Sequence, residues 1–219
     1  MNSDFMKIVG LTFTLFLVSL NCDAHALVAD NAGVIGNSWS FILSGISHII
    51  PSGFDHILFI VGLFLTTRNL RSILLLATSF TLAHSITLIL SATGYLPSYP
   101  QIIEPIIGLS IVMIGLQAFM SDFNSGSSYL IVFVFGLIHG CGFATALAET
   151  GIPEKYFYSS LICFNLGIEL AQVIIILFLY LIFRLWRNEK QFQKIIVRPV
   201  SLLIALSGMI LTAGRIFES

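Results

Sequence analysis

Residues 156–183 read YFYSSLICFNLGIELAQVIIILFLYLIF. Glu169 is the one Asp, Glu, Lys or Arg in that stretch. An α-helix rises about 1.5 Å per residue, so about 20 apolar residues cross the ~30 Å hydrocarbon core of a bilayer. This stretch is long enough to do so, and it is apolar on every face. The same reading extends to 54–67, 71–93, 101–120, 129–148 and 199–217, joined by short connections holding Gly, Pro, Ser and Asn. Stretch 54–67 is short and needs part of the preceding segment to span. The pattern predicts an all-α fold, a polytopic membrane helix bundle of about six transmembrane helices.

Composition points the same way. The chain of 219 residues is 57% hydrophobic and 10% charged, against about 45–50% and about 25% for soluble domains. Its mean hydropathy is +0.97. A net charge of −1 supplies no basic surface for nucleic acid; the expected partner is the lipid bilayer. The sequence has no Walker A, GxGxxG or HExxH motif. Cys22, Cys141 and Cys163 form no CxxC pair, and the last two read as small hydrophobes.

Residues 1–26 read as a signal peptide. Lys7 precedes an apolar run from Ile8 to Leu20, and Ala24-His25-Ala26 is a small-x-small cleavage pattern. Cleavage after Ala26 would leave 27–219 as a single transmembrane helical domain; an uncleaved anchor helix is the rival. Residues 38–50 are moderately amphipathic and are expected to lie on, or dip into, the outer interface. With the mature N-terminus outside, the inner loops carry Arg68, Arg71, Arg184, Arg187, Lys190, Lys194 and Arg198. The outer side keeps Lys155 and Arg215. This asymmetry follows the positive-inside rule and puts both mature termini outside.

The chemistry lies in ionisable residues inside the spans, where a charge costs roughly 2.5–3.5 kcal/mol on insertion scales. They are Asp55, His56, His84, Glu104, His139 and Glu169. Asn165 and Gln172 share the helical face of Glu169. His84 lies roughly 14 Å below Thr93 at 1.5 Å per residue, and His139 is at a similar depth. His48 is a further candidate at the interface. Residues 80–85, FTLAHS, resemble residues 135–140, FGLIHG, as a weak internal repeat.

Imidazoles with carboxylates suit a divalent transition metal such as nickel, cobalt or zinc. Two function classes use such a set. A transporter would bind the ion at His56, His84, His139, Asp55, Glu104 and Glu169, with His48 and Asn165 as further candidates. A membrane-embedded hydrolase would hold zinc on His56, His84 and His139. Glu104 or Glu169 would be its general base against a lipid or peptide near the outer leaflet. A third possibility is that single histidines only join helices by hydrogen bonds.

Five segments carry a family resemblance. They are Gly53-Phe54-Asp55-His56-Ile57-Leu58-Phe59, Phe80-Thr81-Leu82-Ala83-His84-Ser85-Ile86-Thr87, Glu104 with Leu109-Ser110, Phe135-Gly136-Leu137-Ile138-His139-Gly140, and Phe164-Asn165-Leu166-Gly167-Ile168-Glu169. Over residues 45–217 the chain resembles the HupE/UreJ family, in particular its compact second subgroup. The resemblance implies a multi-pass protein of the bacterial inner membrane, either a nickel/cobalt permease or an accessory protein for hydrogenase or urease. It also implies metalloenzyme maturation proteins as partners. In that family a histidine precedes Asp-His by a few residues, the place His48 holds here.

Overall fold

The computed structural model describes residues 38–97, 99–120, 129–148, 157–186 and 188–217. The signal-peptide segment, Cys22, His25, Lys155 and Arg187 lie outside them. The elements in chain order are α1 (Ser38–Ile49), α2 (Phe54–Thr66), α3 (Leu70–Ala92), α4 (Pro100–Met120), α5 (Tyr129–Ala148) and α6 (Phe157–Phe183). α7 (Glu189–Phe192) then runs through a π-helical turn, Gln193–Val197, into α8 (Arg198–Phe217). No strand occurs among the described residues.

Helices α3, α4, α6 and the continuous segment Glu189–Phe217 are each long and apolar enough to cross a bilayer. α1 and α2 meet at 71° and together have the length and hydropathy of one bent span. α5 has 20 residues and coincides with the expected stretch 129–148. The large hydrophobic side chains left outside the core include Met113, Ile174, Phe178, Leu181, Leu203 and Ile210. That much apolar surface suits lipid rather than water.

Local signals set the ends. Asn69 caps α3, its side-chain oxygen accepting from the backbone N–H groups of Arg71 (3.1 Å) and Ser72 (3.4 Å). α3 stops at Thr93, and Gly94 follows at φ +80°, where an L side chain is disfavoured. Pro51 brings no N–H to the turn between α1 and α2, so α1 cannot continue. Gly53 closes that turn against the His48 carbonyl, where any Cβ would collide.

Three helix pairs pack most closely: α3 with α5, α4 with α8, and α1 with α6. Each has glycine at the crossing, as is usual where apolar driving force between helices is weak and backbones must approach. Gly136 and Gly140 of α5 face the Phe80 and His84 carbonyls of α3. The two halves of the weak repeat are therefore packed against each other. Gly45 of α1 and Gly167 of α6 face the Phe164 and Ile42 carbonyls, so α1 dips into the bundle against α6. Ile42, Gly45 and Ile49 are its buried residues.

The bundle has two unlike ends. At one, Arg68 donates to the carbonyl oxygens of Trp186 (2.8 Å) and Phe183 (3.4 Å), near Arg71, Arg184 and the basic residues that precede α8. At the other, Arg215 near the end of α8 meets Asp55 and Glu104.

Candidate metal centre

The turn closed by Gly53 folds α2 back on the end of α1 and sets His48 beside His56, with ring centroids 4.8 Å apart. α3 brings His84 to 5.9 Å from the His56 ring and 6.1 Å from the His48 ring. α5 brings His139 to 5.0 Å from the His56 ring. Four helices thus deliver four histidines to one place, around His56. His56, His84 and His139 are buried.

The hydrogen bonds show which ring nitrogens are left to ligate. Asp55 Oδ1 accepts from the His56 backbone N–H (2.8 Å) and lies 3.0 Å from His56 Nδ1. An ionised carboxylate only accepts, so Nδ1 faces it with a proton and Nε2 is the nitrogen available to a metal. Ser110 Oγ donates its single proton to the Ile107 carbonyl at 2.7 Å. It must therefore accept from His139 Nε2, 2.9 Å away, which leaves the lone pair on His139 Nδ1. His56 Nε2, His139 Nδ1 and both ring nitrogens of His84 are buried and have no hydrogen-bond partner among the described residues. Each buried unsatisfied polar group costs roughly 1–3 kcal/mol. Three imidazoles left with such atoms in one cluster fit a bound ligand better than the joining of helices.

One turn further into the bundle stands an aromatic floor. Phe59, Phe80 and Phe135 follow or precede His56, His84 and His139 by three or four residues. The Phe80 ring lies 5.0 Å from His139 and 6.0 Å from His56, and Phe59 lies 5.6 Å from His139.

The other expected residues are placed differently. Glu104 sits at the rim, its carboxylate 3.8 Å from Arg215 Nε and its side chain 49% exposed. Arg215 also donates to Asp55 Oδ2 at 3.2 Å and to the Glu104 carbonyl at 3.1 Å. Glu169 Oε1 accepts from Thr78 Oγ1 at 2.6 Å, and neighbouring Gln172 accepts from Thr81 at 3.0 Å. Asn165 donates to the Leu161 carbonyl at 2.8 Å. Of the carboxylates expected at the metal, Asp55 alone is bonded to a histidine. Glu104 pairs with Arg215, and Glu169 is held by Thr78 through Oε1 while its Oε2 has no partner among the described residues.

Among the described residues no group of three or more His, Cys, Asp or Glu side chains is already arranged to hold a metal ion. The spacing is nonetheless close to what one ion would need. A metal–nitrogen bond of about 2.1 Å puts each imidazole centroid about 3.2 Å from the ion, so two ligands in tetrahedral geometry have centroids about 5 Å apart. His48–His56 and His56–His139, at 4.8 and 5.0 Å, match that value, and His56–His84 and His48–His84, at 5.9 and 6.1 Å, are about 1 Å wider. Turning the rings about their side-chain torsions would aim the lone pairs inward.

The partners of Arg215, the bond between His139 and Ser110 and the phenylalanine floor carried no reading in the sequence. Arg215 did carry a signal: a cation at the end of an apolar helix, on the side with few basic residues, calls for carboxylate partners.

The fold and cluster define a multi-pass membrane protein with a buried histidine centre. The chain belongs to the HupE/UreJ family, whose model, described as HupE / UreJ protein, matches residues 23–215. No curated protein and no solved structure matches it.

Proposed function

We propose that this protein binds a divalent transition-metal ion of the nickel or cobalt class at His56, His84 and His139, with His48 completing the set. It then passes the ion across the membrane or supplies it for metalloenzyme maturation. The observation that carries this reading is the clustering of three buried imidazoles from three helices, each with a ring nitrogen that has no hydrogen-bond partner among the described residues. Family membership supports a membrane role in nickel or cobalt handling. The basic residues at the opposite end of the bundle support an outward-facing histidine end under the positive-inside rule. Onward movement requires the phenylalanine floor to shift.

Asp55 is a positioning residue in this reading. Its carboxylate fixes the His56 tautomer and ring, the usual role of a carboxylate behind a metal-bound imidazole. Asp55→Asn is expected to weaken nickel or cobalt binding by about 10–100-fold with the fold retained. Equilibrium dialysis checks it, with Arg215→Gln separating the loss of the ion pair at Asp55 Oδ2 from the loss of the bond to His56.

Binding should also depend on pH. Only neutral imidazole ligates, so protons compete with the metal and affinity is expected to fall as the solution is made more acid. Calorimetric titration with nickel at several pH values measures this.

Uptake of nickel or cobalt into proteoliposomes tests the function. Uptake above protein-free vesicles, lost in the double variant His84→Ala/His139→Ala, is expected for a permease. Binding without uptake would reduce the reading to metal supply, and neither would overturn it.

A further inference from the structure

At the end of the bundle away from the histidines is a cavity of about 160 Å³. That is several times the ~30 Å³ share of a water molecule. Thr67, Arg68, Tyr180 and Arg184 form its polar side, and Phe183 and Phe192 form an apolar wall. Arg68 is held in place: it donates to the Trp186 carbonyl and lies 4.9 Å above the Phe192 ring. Arg184 is exposed and Tyr180 half-buried. Tyr180 and Arg184 continue a helical face through Leu177, which is 41% exposed, towards the middle of α6.

Two guanidinium groups, a hydroxyl and a phenol beside aromatic rings suit a phosphate attached to something apolar. The surroundings fit. Arg71, Lys190, Lys194 and Arg198 lie on the neighbouring segments, with Glu189 the one acid among residues 184–198. Basic pockets between transmembrane helices at the positive end of a membrane protein are suited to anionic lipid headgroups. We infer that this cavity binds one anionic phospholipid, its phosphate between Arg68 and Arg184 and an acyl chain along the Leu177 face of α6. The site is independent of the metal reading and would tie the α2–α3 turn to the ends of α6 and α7.

The test uses full-length protein in detergent, titrated with dioleoylphosphatidylglycerol, dioleoylphosphatidylcholine or inorganic phosphate. Bound lipid is counted by native mass spectrometry, and stabilisation is read as a rise in Tm. Phosphatidylglycerol is expected to bind one per chain and raise Tm, phosphatidylcholine much less, and inorganic phosphate not to displace it. Arg184→Gln, an exposed position, is expected to weaken phosphatidylglycerol binding about fivefold, the contribution of one basic residue near a membrane surface. Tyr180→Phe checks the same cavity without changing charge and should weaken binding less. Equal binding of the two lipids, or unchanged phosphatidylglycerol binding in Arg184→Gln, would overturn the inference. Displacement by inorganic phosphate would overturn the lipid assignment in favour of a free-anion site.

Discussion

Replacing His84 and His139 together by alanine should lower nickel, cobalt and zinc binding more than a hundredfold, measured by elemental analysis after equilibrium dialysis. Each substitution removes a buried lone pair from a different helix, so no single side-chain movement can compensate. The fold should survive. Alanine is the best helix former, and His84 gives up no hydrogen bond because its ring nitrogens make none among the described residues. His139 gives up one, to Ser110, whose proton stays on the Ile107 carbonyl. If these histidines only joined helices, the result would be the reverse: unchanged metal content and a large fall in Tm.

The second large effect concerns Gly140. A Cβ there would run into the His84 carbonyl oxygen and Thr87 Oγ1, and would lie 3.0 Å from the His84 carbonyl carbon. Thr87 cannot simply turn away without losing its 2.7 Å bond to the Leu137 carbonyl. The obstacle is backbone, so Gly140→Leu must push α5 off α3. Overpacking of this kind typically costs about 1–3 kcal/mol, occasionally more. At about 2–4 °C per kcal/mol, a Tm loss of roughly 2–12 °C is expected. Metal binding should fall with it, because the same movement separates His84 from His139. Gly142→Ala is the contrast: its Cβ meets the tip of the Ile107 side chain at 2.8 Å, which can move aside.

Much of this was legible in the sequence because depth in a membrane helix follows from counting residues. The apolar stretches 71–93, 129–148 and 156–183 correspond closely to α3, α5 and α6, and the similar depths of His84 and His139 follow from the same count. Rotation about each helix axis does not. In helices apolar on all sides, no amphipathic pattern shows which way His56 or Glu169 faces. Counting places Glu104 and Glu169 in depth but does not show their partners, which are Arg215 and Thr78. The aromatic floor was hidden by abundance. Phenylalanine stands four residues before both His84 and His139, but among 19 phenylalanines that spacing carries little weight. The packing of α1 rests on Gly45 and Gly167, two single residues far apart in sequence. The turn that pairs His48 with His56 depends on Gly53, whose role is set by a carbonyl five residues upstream.

X-ray absorption spectroscopy of the cobalt-loaded protein tests the central claim most directly. The account predicts three or four nitrogen ligands at about 2.1 Å, with outer-shell scattering from imidazole rings that disappears in His84→Ala/His139→Ala. A shell of oxygen ligands alone, or a spectrum unchanged in the double variant, would contradict it.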